Sequence, residues 1–307
     1  VSAGPALAPL PPPLPDEPPA ARFWRHYRAS GLAVAALALL ALIVLAALFA
    51  PLIAPQDPYD LARLDLMDSR LAPGERAADG GMTYWLGTDE QGRDMISAIL
   101  YGVRISVLVG VASTALALTL GMALGLLAGY AGGRTDSVIM RTADMQLSFP
   151  PILIALILLA VSGPGVDKII ISLVAVQWAY YARTARGAAL VECRKEYMEA
   201  AACLGLRPAR IVLRHLLPNC LPPLVVVAAL QVGAAISLEA TLSFLGLGLP
   251  VTEPSLGLLI ANGFQYLLSG KYWISFFPGL ALLATVVAIN LVADQLRDVL
   301  NPRLQAH

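Results

Sequence analysis

Lys195-Glu196-Tyr197-Met198-Glu199-Ala200-Ala201-Ala202-Cys203-Leu204-Gly205 is the middle of a polar interruption, residues 183–219, set between two long apolar segments. Its charges need water, so wherever the flanking segments lie in a membrane this run stands outside the lipid. Lys195 to Leu204 consists of good helix formers, and Gly205 can take the left-handed conformation that ends a helix. Pro208 suits the first turn of a second helix, because proline has a fixed φ and no N–H to leave unpaired. That second helix is expected to stop at Pro218. Tyr197, Ala200, Ala201 and Leu204 share one small apolar face that lets the helix lie close to another surface. On residue types alone, an ordinary amphipathic loop fits as well as a docking element.

Outward from this run the chain is strongly apolar. Hydrophobic residues fill 58% of the 307 positions and charged residues only 14%, too little polar surface for a soluble domain of this size. Apolar runs of about 20 residues recur, each long enough at ~1.5 Å per residue to cross a ~30 Å hydrocarbon core. The expected fold is all-α: a polytopic membrane protein of about six transmembrane helices, with both termini cytoplasmic. The charge balance, 21 basic against 21 acidic residues, gives no drive toward nucleic acid. Cys193, Cys203 and Cys220 fall in or beside the polar run and, with His215, invite a metal site. No Cys-x-x-Cys spacing exists, however, and inert thiols are the reading taken, with no metal.

Residues 1–21 form a Pro/Ala-rich stretch expected to be a disordered cytoplasmic tail. Residues 22–54 hold Arg22, Arg25, His26 and Arg28 and then a first apolar span. A secretory signal also has a basic front, but its apolar core is shorter, about 7–15 residues, and a small-residue cleavage site follows it. Pro51 and Pro55 follow here, so the span is read as uncleaved. Residues 55–100 form an extracytoplasmic insert with nine acidic residues against four arginines, and residues 101–307 form the main core. In the insert, Trp85-Leu86-Gly87-Thr88-Asp89-Glu90-Gln91-Gly92-Arg93-Asp94 is the most patterned part. Thr88 and Gln91 read as a capping box that starts a helix, and the acids lack the alternating ligand pattern of a calcium loop.

The second span, residues 103–130, carries Ser113, Ala117, Gly121, Gly125 and Gly129 on one helical face, a seam for close packing in lipid. A third span over residues 138–162 should be kinked at Pro150-Pro151, with Asp144 pairing to Arg141 one turn away. A short fourth span covers residues 166–181. The fifth starts after Pro222-Pro223 and runs to Gly248, and the last covers residues 274–292. Tyr272 and Trp273 suit an interfacial belt. Ionisable groups in membrane segments are costly and mark functional candidates. Asp144, Gln231 and Glu239 are therefore candidates for a translocation path; for Glu239 the competing reading is a solvated or hydrogen-bonded place near the outer end. With six spans and the N-terminus inside, fourteen of the 21 basic residues fall on inner segments: Arg22, Arg25, Arg28, Arg134, Arg141, Arg183, Arg186, Arg194, Lys195, Arg207, Arg210, Arg214, Arg297 and Arg303. The positive-inside rule then places residues 183–219 in the cytosol.

The pattern Glu199-Ala200-Ala201, Gly205 and, after a spacer, Leu217-Pro218 resembles the cytoplasmic signature loop of permease subunits of binding-protein-dependent ABC importers. His215 stands where the general pattern has isoleucine, and Arg214-His215-Leu216-Leu217-Pro218-Asn219 resembles the peptide- and nickel-importing branch. Trp85, Gly87, Thr88, Asp89, Gly92, Arg93 and Asp94, continued by Tyr101-Gly102-Val103-Arg104-Ile105-Ser106, resemble the stretch before the second span in one of the two permeases of peptide importers. The resemblance implies a coupling loop formed by Glu196, Tyr197, Glu199, Ala200, Ala201, Gly205, His215, Leu217 and Pro218. It implies as partners a second related permease, two ATPase subunits and an extracytoplasmic substrate-binding protein, in the lipid bilayer of a prokaryotic cytoplasmic (inner) membrane. Di- or oligopeptides are the expected cargo, with nickel or another small solute as the alternative. No G-x-x-x-x-G-K-[ST] phosphate loop occurs in the sequence, so no catalytic site or cofactor is expected in this chain, and ATP and Mg2+ are expected in the partner ATPase subunits. A membrane-embedded enzyme or redox subunit would need inward-facing histidines, cysteines or paired carboxylates in the spans, whereas His26, His215 and His307 all lie outside the span centres. An ion-driven secondary transporter would need more intramembrane charge than Asp144 and Glu239.

Overall fold

The structure, a computed structural model, describes residues 18–60, 64–250 and 252–300. The described residues are overwhelmingly helical. Helices α1 (Pro19–Arg28), α2 (Gly31–Leu48) and α3 (Ala50–Ile53) lead into the insert, where Leu66–Asp68 makes a 3-10 turn and strands β1 (Glu75–Arg76) and β2 (Thr83–Tyr84) pair antiparallel. The rest of the chain is α4 (Met95–Ala131), α5 (Gly133–Leu147), α6 (Pro151–Ser162), α7 (Val166–Glu192), α8 (Glu196–Cys203), α9 (Pro208–Ile211), α10 (Leu217–Phe244), α11 (Leu256–Phe264) and α12 (Trp273–Leu300). The stretch expected as a disordered tail lies outside the described residues as far as residue 17, while its last residues open α1.

Among the described residues, four helices are long and apolar enough to cross a membrane: α2, α4, the continuous helix Pro208–Phe244, and α12; the α5–α6 pair makes a fifth if it counts as one span. The expected third span is more than kinked. α5 and α6 meet at 90°, because consecutive prolines remove two N–H donors and hold Pro150 extended at φ −57° and ψ 127°. The expected short fourth span is the start of the 27-residue α7. Its Asp167, Lys168, Arg183 and Arg186 make α7 less apolar than its neighbours, and it lies along α4 in the most extensive helix contact among the described residues.

That contact uses the small-residue seam. Ser113, Ala117, Gly121, Gly125 and Gly129 are all buried, and the three glycines face Ala182, Ala185 and Ala189 of α7, which are equally buried. A Cβ on Gly129 would stand 2.7 Å from that of Ala189, and one on Gly125 would overlap the Ala182 carbonyl. Close backbone approach is what lets two helices gain dispersion energy where lipid offers no hydrophobic drive.

Two expectations about helix ends are corrected. Thr88 and Gln91 do not cap a helix; α4 begins at Met95, and Asp94 caps it by accepting from the Ser97 N–H and the Ser97 hydroxyl, both at 2.8 Å. Thr88 is instead held by longer-range bonds within the insert. Pro218 does not end the second helix of the polar run: α9 passes through a π-helical turn, Val212–Leu216, directly into α10, with Pro222 and Pro223 inside it. The wider turn accommodates the missing Pro218 donor, and the Asn219 side-chain amide donates to the His215 carbonyl at 2.6 Å.

Candidate functional site

The polar run folds into α8 and the base of the Pro208–Phe244 helix. At the end of α8, Gly205 has φ +70°, its N–H donates to the Ala202 carbonyl at 3.0 Å, and the Leu206 N–H donates to the Ala201 carbonyl at 3.4 Å. This is the paired end-bond of a Schellman cap, as the glycine suggested. The buried side of α8 is Met198 and Ala201, packed in a cluster with Leu126 of α4, Ala189 of α7, Ile211 of α9, and Leu216 and Cys220. Burying Met198 contributes roughly 1.5–3 kcal/mol to holding α8 in place. Of the face expected to be apolar, only Ala201 is buried; Tyr197, Ala200 and Leu204 are exposed together with Glu196 and Glu199. The helix thus spends one narrow edge on its own chain and leaves the rest open.

Its start is tied by a hydrogen-bond network that residue spacing did not reveal. Glu192, in the last turn of α7, accepts from Tyr197 Oη and from Lys195 Nζ, each at 2.6 Å. Asn219 of α10 donates to Tyr197 Oη at 3.2 Å. Burial, and then the bond to Glu192, push the Tyr197 phenol up to about 12, so it remains a neutral donor. Tyr197 therefore links α8 to the C-terminal end of α7 and the N-terminal end of α10. Glu192 and Tyr197 are separated by a helix break, so no periodic pattern could have paired them. His215 and Leu217 are half-buried and Pro218 is exposed.

The insert motif forms a compact knot. Thr88 Oγ1 donates to the Asp68 carbonyl at 2.6 Å and accepts from the Leu71 N–H at 2.8 Å. Asp68 accepts from Tyr84 Oη at 2.8 Å, and burial followed by this bond moves the Tyr84 phenol above its ordinary range. Arg93 is 0% exposed and pairs through Nε with Asp89 at 2.7 Å. Gly87 and Gly92 have positive φ, and a side chain at either would press on the Leu71 or Asp65 carbonyl. Trp85 is exposed. Trp273, expected at the lipid interface, is buried instead and donates to the Thr88 carbonyl at 3.3 Å, clamping the insert to the start of α12.

The three path candidates lie in separate places: one in a groove, one buried and one exposed. Gln231 lines a groove of about 430 Å³ with Pro151 and Ile152 of α6, Gln177 and Tyr180 of α7, and Ser237 and Thr241 of α10. Sequence reading missed Gln177 and Tyr180, which only the packing of α7 against α10 brings there. Glu239 is turned away from the groove and fully buried, accepting from Ser106 Oγ of α4 and Ser243 Oγ at 2.8 Å each. Asp144 is exposed on α5 and pairs at 2.9 Å with Arg183 of α7, not with Arg141. A second pair, Asp136 with Arg186 at 2.5 and 2.6 Å, joins the same two helices, and the Gln146 amide donates to the Ala175 and Val176 carbonyls.

A family model described as binding-protein-dependent transport system inner membrane component matches residues 121–306, and one described as the N-terminal TM domain of oligopeptide transport permease C matches residues 18–73. The di/tripeptide transport system permease protein DppC of Pseudomonas aeruginosa (strain UCBPP-PA14) is 37% identical over 287 residues, 94% of this chain and 93% of its own length. The dipeptide transport system permease protein DppC of Escherichia coli (strain K12) is 39% identical over 94% of each chain. The probable D,D-dipeptide transport system permease protein DdpC of the same strain is 40% identical over 83% and 82%. Among solved structures, an inward-facing form of the MetNI methionine ABC transporter matches with a TM-score of 0.55 at 20% identity, over 67% of this chain and 98% of that one, which supports the fold. This chain belongs to the family of inner membrane components of binding-protein-dependent transport systems.

Proposed function

We propose that this chain is the permease subunit of an ATP-driven importer of dipeptides or other short peptides, forming half of the translocation path. The observation that carries the reading is the 37–39% identity to dipeptide and di/tripeptide permeases across 94% of the chain. The groove around Gln231 is consistent with it. Glutamine, tyrosine, serine and threonine side chains offer neutral donors and acceptors, which can hold a peptide backbone without trapping its charged ends.

In this reading the loop of residues 183–219 faces the cytosol and the exposed face of α8, from Glu196 through Tyr197, Glu199 and Ala200 to Leu204, docks on an ATPase subunit. Two ATPase subunits hold ATP and Mg2+, a second related permease completes the path, and an extracytoplasmic binding protein delivers the peptide. The supporting geometry is the double attachment of α8. Met198 and Ala201 seat it against α4, α7 and α9, and Tyr197 ties it to Glu192 and Asn219. A displacement of α8 would therefore move the inner ends of α7 and α10, which line the groove together with α6. The insert, clamped through Trp273, faces the binding protein.

The test is reconstitution of the purified complex in liposomes with its binding protein and a labelled dipeptide. ATP-dependent accumulation is expected; accumulation of another solute class with no peptide uptake would refute the cargo assignment.

A further inference from the structure

The groove around Gln231 has walls from α6, α7 and α10, and the wall on α6 is anchored unevenly. The buried residues of α6 are Ala155 and Leu159, and both enter a cluster with Ile169 and Leu173 of α7 and Leu242 of α10. The first turn of α6 gives Pro151 and Ile152 to the groove, yet Pro151 is exposed and Ile152 only half-buried. Packing thus fixes the body of α6 and leaves its base to be held in another way.

The hold comes from Gln146, in the last turn of α5. Its side-chain amide donates to the Val176 carbonyl at 3.0 Å and to the Ala175 carbonyl, and its Oε1 accepts from Trp178 Nε1 at 2.5 Å. A helical carbonyl keeps a second lone pair beside its ladder bond, so α7 can accept these donors without breaking its own helix. The same stretch of α7 supplies Val176, Gln177 and Tyr180 to the groove lining. Residues 147–150, which join Gln146 to α6, form a tight elbow. The Ser148 and Phe149 N–H groups donate to the Asp144 and Gln146 carbonyls, each at 3.1 Å, and the two prolines stiffen the 90° corner. An elbow so short carries the place of Gln146 over to Pro151 and Ile152. The ion pairs Asp136–Arg186 and Asp144–Arg183 hold the rest of α5 on α7, and none of those four residues lines the groove.

We propose that Gln146 is a positioning residue for peptide transport: it pins the base of α6 to residues 175–178 of α7 and so sets the spacing of two groove walls, without lining the groove itself. This role rests on the reading of that groove as the peptide path. Glutamine suits it, because a neutral amide carries donor and acceptor at one end and sits half-buried with no charge to desolvate.

Gln146→Leu removes all three bonds, while the two ion pairs still hold α5. Hydrogen exchange over residues 152–158 of the purified complex should rise at least about threefold, the weight of a single interhelical bond in a membrane protein. In liposomes with the binding protein, dipeptide carried per ATP hydrolysed should fall by a similar factor with ATP hydrolysis retained; general destabilisation would lower both. Trp178→Phe keeps the bonds to both α7 carbonyls and should stay near wild type, and Gln146→Leu/Trp178→Phe should behave as Gln146→Leu does. Unchanged exchange in Gln146→Leu would overturn the proposal. Rescue by Trp178→Phe would also do so, since the defect would then be a stranded indole N–H and not a displaced wall. Raised exchange with an unchanged yield per ATP overturns it too: if Gln231→Leu lowers uptake in the same preparation, the positioning role alone has failed, and if it does not, the reading of the groove has failed with it.

Discussion

Replacing Gly205 isolates a backbone effect at the end of α8. The residue sits at φ +70°, and a Cβ built there would meet nothing within 4 Å. Substitution therefore changes conformational preference and little else within this chain. A non-glycine residue in the left-handed region costs about 1–2 kcal/mol; asparagine tolerates it better and β-branched residues worse. The two end bonds of α8, to the Ala201 and Ala202 carbonyls, exist only in that conformation. α8 has eight residues, well short of the ~12–15 that make an isolated helix even marginal. Its order rests on the burial of Met198 and Ala201 and on its ends. A loss of about 1–2 kcal/mol should raise the opening of α8 roughly 5–30-fold. Hydrogen exchange of its amides in the assembled complex reads this directly, and peptide transported per ATP hydrolysed reads its consequence. Gly205→Asn should stay nearest to wild type, with Gly205→Ala next and Gly205→Val worst. If Asn and Val impair coupling equally while exchange in α8 is unchanged, the position acts by contact with a partner and the backbone argument is wrong.

Other sites give sharper structural tests. Gly125→Ala should lower the thermal midpoint of the detergent-solubilised chain by the equivalent of about 1–3 kcal/mol, because its methyl would overlap the Ala182 carbonyl; an unchanged midpoint would mean that α4 and α7 do not pack as described. Asp89→Asn leaves the buried Arg93 charge without its partner and should cost about 3–5 kcal/mol, read as faster proteolysis of the insert, whereas exchanging both members for apolar residues should be milder. Glu239→Gln can still bond Ser106 and Ser243 and should cost about 1 kcal/mol, while Glu239→Leu strands two buried hydroxyls at roughly 1–3 kcal/mol each; thermal unfolding would show whether that order holds. Gln231→Leu should reduce peptide uptake by an assembled complex, and undiminished uptake would remove the groove from the path. With the Tyr197 phenol pushed up to about 12, it keeps its donor proton through the ordinary tyrosine value of about 10; transport coupling should then show no step there, and a step abolished by Tyr197→Phe would contradict the neutral-donor assignment.

The features legible in the sequence are those that depend on near neighbours along the chain. Apolar runs show which segments suit lipid, because the bilayer tests each segment for length and polarity by itself. The four-residue spacing from Ser113 to Gly129 shows that α4 has a packing face, and Gly205 after a run of helix formers shows where α8 ends. Long-range contact decided the rest. That the seam of α4 meets the alanines of α7, that Glu239 faces two serines while Gln231 faces a groove, and that Tyr197 bonds Glu192 and Asn219 all depend on how separate helices are brought together. Local rules also failed where tertiary packing competed with them. Pro218 is a helix breaker by itself, yet a π-helical turn carries the helix past it because Leu216 and Cys220 are anchored in the cluster beneath α8. Thr88 has the spacing of a cap, yet Asp68 and Leu71 hold it more firmly than a helix end could. Sequence by itself determined a helical membrane chain with a polar loop between apolar spans; tertiary structure decided which side chains face one another, since a helix specifies its own faces but not the partner each face will meet.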